Sequence, residues 1–154
     1  MEYRTLLQRF VAAVNAHPEQ IALRAAAPAR RVDGSFGLTP EDPQAYDFSQ
    51  ELNYIQLDYR ARVLAAELIG AGVRPGDAVG LRVDRGIEQY VALYALLYAG
   101  ATYVPVLPEL PAERIGVMLE DAGASALIHG PGLAPLGASE LAPEQPELYA
   151  APMG

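Results

Sequence analysis

The chain has 154 residues, 51% hydrophobic and 19% charged, with a net charge of −8. That length supports one compact domain with its own core, and the negative balance repels phosphate backbones, which excludes nucleic-acid binding. Cysteine is absent, which removes disulfides, thiolate nucleophiles and cysteine–metal sites together and fits a reducing, cytoplasmic setting.

The start, Met1-Glu2-Tyr3-Arg4, lacks the basic segment and apolar run of a secretory leader. Leu6, Leu7, Phe10, Val11 and Val14 then recur at helical spacing until Asn15-Ala16-His17-Pro18 stops the pattern. A short strand is expected at Ile21 to Ala25. From Ala26 to Gln50, Pro28, Asp33-Gly34, Pro40 and Pro43 break any period, so this stretch reads as an irregular insertion with a small hairpin at Val32-Asp33-Gly34-Ser35.

Regular structure resumes with a strand at Leu52 to Tyr54, a helix at Ile55 to Gly70, a strand at Ala78 to Val83 and a helix at Gly86 to Ala99. A strand at Thr102 to Val106, a helix from Pro111 to Ala122 and a strand at Ala126 to His129 follow. The uncharged run Gln89 to Pro108 reaches the length of a membrane span, but Gly100, Thr102 and Pro105 interrupt it, so it reads as a helix followed by a buried strand. Strands alternating with helices imply parallel pairing through crossover helices, so the fold class is α/β, a parallel sheet with flanking helices. Residues 1–129 form that domain. Residues 130–154, rich in proline, alanine and glutamate and without a basic residue, read as a loose tail or linker.

Four ordered segments carry a resemblance. They are Leu52-Asn53-Tyr54-Ile55-Gln56-Leu57, Gly72-Val73-Arg74-Pro75-Gly76-Asp77-Ala78-Val79, Arg85-Gly86-Ile87-Glu88, and Leu97-Tyr98-Ala99-Gly100-Ala101-Thr102-Tyr103-Val104-Pro105-Val106-Leu107-Pro108 with Pro111 and Arg114-Ile115. Together they resemble the N-terminal part of the adenylate-forming family, in particular the adenylation domains of nonribosomal peptide synthetases. The matched residues have structural roles: Gly72 and Gly100 suit helix ends, and Pro75-Gly76-Asp77 is turn chemistry.

The resemblance implies chemistry in which a carboxylate attacks the α-phosphate of ATP and the acyl group then passes to a thiol. It also implies a Ser/Thr/Gly-rich phosphate loop ending in lysine, an aspartate on the ribose, an acid-binding pocket and a lysine from a mobile C-terminal domain. In the family these follow the matched segments. All eleven basic residues here are arginines, so no lysine is present for a phosphate clamp or a Schiff base. Gly130-Pro131-Gly132 has neither lysine nor a Ser/Thr cluster, and Pro131 lacks the N–H that a phosphate cradle needs. No cofactor site follows.

Asp77, Asp84 and Glu88 lie near strand ends, where a metal or an acid–base pair can be imagined, but they read as turn and helix-start carboxylates, and no metal site is assigned. His17 and His129 read as structural or solvent-facing. No serine lies in a nucleophile-elbow or carrier-protein context. Catalytic residues are therefore not assigned.

Three departures from the family point to contact surfaces. Tyr90, Tyr94 and Tyr98 stand at i, i+4 and i+8, on a helix with no charge after Glu88, and form the candidate interface. Tyr98 stands where the family commonly has lysine, and packing of the stripe under the domain's own elements is the competing reading. Leu107 replaces an aspartate, and residues 26–50 replace a short hairpin link.

The expectation is a truncated, non-catalytic adenylation-like domain serving as a structural, docking or dimerisation element in nonribosomal peptide or polyketide assembly. Its partners are neighbouring assembly-line domains or a second copy, with homodimer formation first and neither nucleic acid nor membrane involved. The alternatives are the first part of a split amino-acid-activating enzyme completed by a second chain, and a small-ligand module using the strand-end crevice.

Overall fold

Thr5 starts the first helix, α1 (Leu6–Ala16), through a reciprocal cap: its hydroxyl accepts from the Gln8 N–H and the Gln8 side chain accepts from the Thr5 N–H. A computed structural model of the chain describes residues 5–28, 46–130 and 147–149. Strand β1 (Ile21–Pro28) pairs antiparallel with β2 (Tyr46–Asn53), running from Ile21 opposite Asn53 to Pro28 opposite Tyr46.

This ribbon corrects the reading of residues 26–50 as irregular at both ends. Register shifts between Ile21 and Leu23 and between Ala25 and Ala27 disturb the alternation that marks a strand, and Pro28 sits at a strand end, where no ladder bond is needed. The expected hairpin at Val32 to Ser35 lies outside the described residues.

Helix α2 (Tyr54–Gly70) starts one residue earlier than expected because Asn53 caps it. The Asn53 carboxamide accepts from the Gln56 N–H at 2.8 Å, and the Gln56 side chain accepts from the Asn53 N–H at 2.9 Å. Two positions of the Leu52–Leu57 motif are therefore a capping box, a cap chemistry worth about 1 kcal/mol. Next come β3 (Ala78–Arg82), α3 (Ile87–Ala99), β4 (Thr102–Pro105), α4 (Ala112–Asp121) and β5 (Ala124–His129). Gly100 ends α3 in the left-handed region, at φ 69°, with Pro75 packed so closely that a Cβ would lie 3.2 Å from it.

Within the segment read as a loose tail or linker, residues 147–149 form a short strand, β6 (Glu147–Tyr149). It pairs parallel to β5, with Leu127 opposite Glu147 and His129 opposite Tyr149. β5 is buried along Ala126 to His129, and its backbone groups on the side away from β3 need partners, which three residues of a weakly apolar segment supply.

The sheet order is β4-β3-β5-β6 with every pair parallel, so the α/β expectation holds. The β3–α3–β4 unit steps one way across the sheet and β4–α4–β5 steps back past β3. With one crossover hand, that reversal puts α3 and α4 on opposite faces. Val79, Leu81, Ala126 and Ile128 pack with α1, α2 and α3, while Leu127 and Ala124 pack with Ile115 and Leu119 of α4. Gly80 permits the second contact, since a Cβ there would lie 2.5 Å from Leu119 Cδ2 and 2.8 Å from Leu127 Cδ1.

Candidate functional site

Open parallel sheets bind ligands outside the strand carboxyl ends where the winding direction reverses, which here is between β3 and β5. Both strands end there in a polar residue: Arg82 closes β3 and His129 closes β5, and the two are register partners. Arg82 is 6% exposed and His129 is wholly buried. Arg82 Nη1 lies 3.2 Å from the His129 ring nitrogens, and Nη2 donates to the Pro108 carbonyl at 3.0 Å.

The Gly130 N–H donates to the Arg82 carbonyl at 2.8 Å, and a Cβ on Gly130 would lie 3.1 Å from Val83 Cα. Arg82, His129 and Gly130 at these strand ends are thus buried and bonded to the protein's own groups. His129 does not face solvent, while His17 is exposed at the α1 C-cap. No local pattern marked Arg82 as buried, since its partners lie 26 and 47 residues away.

The three carboxylates do not converge. Asp77, just before the amino end of β3, accepts from the Arg74 N–H at 2.8 Å and lies 3.5 Å from Ser125 Oγ. Asp84 is exposed beyond the opposite end of β3. Glu88, in the first turn of α3, pairs with the buried Arg60 of α2. Among the described residues no three His, Cys, Asp or Glu side chains form a metal-binding group.

The tyrosine stripe divides. Tyr90 is 46% exposed, whereas Tyr94 stacks on Phe10 of α1 with ring centroids 4.0 Å apart and planes 25° from parallel. Burial pushes the Tyr94 phenol pKa up, with smaller contributions from Tyr54 and Tyr90. The Tyr98 hydroxyl donates to Asp58 Oδ1, and Arg62 Nε donates to Asp58 Oδ2 at 2.9 Å. The Arg62 guanidinium lies 4.8 Å from the Tyr98 ring centroid. Tyr94 and Tyr98 therefore hold α3 to α1 and α2, and of the three only Tyr90 faces outward. The i,i+4 pair Asp58–Arg62 was visible in the sequence, but its use of Tyr98 was not.

Burial, and then the bond to Asp58 and its charge, push Tyr98 up to about 12. The folded chain holds this proton more tightly than the unfolded one, so the contribution is full below the ordinary phenol value of about 10 and is lost as pH rises through about 12. Tyr98→Phe is expected to cost about 1 kcal/mol at neutral pH and to flatten the fall in stability across that window. Urea titrations of both proteins at pH 7 and at several values between 10 and 12 check this, and equal alkaline slopes refute it.

A groove of about 680 Å³ lies outside the carboxyl ends of β3 and β4, lined by Leu93, Tyr103, Leu107 and Met118 with Asp84 and Arg85. Tyr103 and Leu107 are 50% and 60% exposed. The edge strand beside it is poor in donors. Thr102 and Val106 donate to the Asp77 and Leu81 carbonyls of the β3 side, so alternation turns only the Tyr103 N–H outward, and Pro105 has none.

A parallel sheet wound in both directions, with helices on both faces, defines an α/β subdomain. Residues 32–151 match the family described as AMP-binding enzyme, and the chain belongs to that family. The resemblance read from Leu52–Leu57, Gly72–Val79, Arg85–Glu88 and Leu97–Pro108 is borne out. The chain is similar to a probable non-canonical nonribosomal peptide synthetase, CymA, of Salinispora arenicola, 42% identical over 107 residues, covering 70% of this chain and 1% of CymA. It is also similar to gramicidin S synthase 2 of Brevibacillus brevis, 39% identical over 90 residues, covering 58% of this chain and 2% of that protein.

Among solved structures, the nonribosomal peptide synthetase FmoA3 superimposes with a TM-score of 0.74 at 29% identity, over 96% of this chain and 13% of FmoA3. The N-terminal subdomain of Klebsiella oxytoca NpsA in complex with 3-hydroxybenzoyl-AMSN gives 0.66 at 25% identity, over 96% and 30% respectively. The chain thus spans about 1–2% of the length of these two curated relatives. Among the described residues no helix is long and apolar enough to cross a membrane.

Proposed function

We propose that this chain is a non-catalytic adenylation-like domain, residues 1–129 with the segment beyond it, that acts in the cytoplasm as a structural, docking or dimerisation element of nonribosomal peptide or polyketide assembly. The observation that supports the reading is that the strand ends at the switch point are engaged within the protein: Arg82, His129 and Gly130 are buried, Arg82 reaches His129 and the Pro108 carbonyl, and the Gly130 N–H donates to the Arg82 carbonyl. ATP–pyrophosphate exchange with a panel of amino and aryl acids tests it. The 154-residue chain alone is expected to give no exchange above the rate without protein, and acid-dependent exchange by the chain alone overturns the reading.

The second reading, one part of a split activating enzyme, is favoured by the superposition on adenylation structures over 96% of the chain. Mixing the chain with a polypeptide that supplies the rest of an adenylation domain separates the two readings: restored exchange supports the split enzyme, and binding without exchange supports docking.

Contact with a second copy or a neighbouring domain would use the outward apolar side chains, of which Tyr90, Tyr103 and Leu107 are the largest near α3 and β4. Sedimentation velocity is expected to show concentration-dependent association that Tyr90→Arg with Leu107→Arg abolishes. A monomer at every concentration removes the homodimer from the proposal.

A further inference from the structure

We draw no further inference here: the strongest candidate, the groove of about 680 Å³ outside the carboxyl ends of β3 and β4, walled by Tyr103, Leu107 and Met118, is an unpartnered apolar face, and nothing in the structure shows what covers it.

Discussion

Leu96→Ala is expected to destabilise the domain by about 2–5 kcal/mol, the range for a large buried aliphatic cut back to its Cβ. Leu96 is 1% exposed and belongs to the cluster that joins α1, α2 and α3 to Val79, Leu81, Ala126 and Ile128 of the sheet. Its neighbours on α3, Ala92 and Ala95, are wholly buried, and their small side chains bring the helix backbone close to the elements around it. Few side chains there can swing in to fill the hole, so the cavity persists and its cost adds to the lost transfer energy. Leu107→Ala is the control: Leu107 is 60% exposed, and the change is expected to stay within about 0.5 kcal/mol. Chemical denaturation of both variants measures the contrast, and equal midpoints would remove Leu96 from the core.

Arg82→Met is expected to produce the other large effect. The substitution keeps much of the side-chain bulk but deletes every donor, which leaves the Pro108 carbonyl and the His129 ring without the guanidinium beside them. Loss of a buried hydrogen bond to a charged group costs about 1.5–3 kcal/mol, and both Arg82 and His129 lie in the interior. Pairing Arg82→Met with His129→Leu should return part of that loss, because an apolar side chain suits the methionine beside it better than an imidazole does. A double-mutant cycle reads the coupling, and strictly additive losses would mean that the two side chains do not act on each other. A second consequence is local. Arg82 ties the segment after β4 to the end of β3 through Pro108, so hydrogen exchange in residues 106–110 should speed up in the single variant beyond the change seen elsewhere.

Much of the architecture was legible because it is local. Helical spacing placed α1, and the alternation of apolar segments with turn residues placed α2, α3, α4 and the three strands β3, β4 and β5. Strand β4, expected to be buried, proves to be an exposed edge strand. The motif at Leu52 to Leu57 was legible as a family signature, and its physical content proved to be a reciprocal helix cap between Asn53 and Gln56. The β1–β2 ribbon was legible only at its inner ends, since two register shifts and the breakers between its strands hide the alternation. β6 left no pattern at all, because three residues become a strand only when β5 offers them a ladder.

The candidate site was less legible. A tyrosine every fourth residue is consistent with an outward stripe or an inward one, and spacing alone does not say which neighbours a helix face meets. Phe10 and Asp58 decided it, from α1 and from α2, drawing Tyr94 and Tyr98 inward and leaving Tyr90 exposed. The burial of Arg82 and His129 was similarly out of reach.

The amino-acid order by itself determined the fold class, the family and the missing lysines, because each is written in neighbouring residues or in composition. Only the tertiary structure decided which tyrosine faces outward, how the strand ends of β3 and β5 are bonded and where Arg60 finds its carboxylate. Those outcomes depend on pairs separated by 26 to 84 residues, such as Arg82 with Pro108 and Phe10 with Tyr94. Contacts of that span exist only once the helices and strands have packed together.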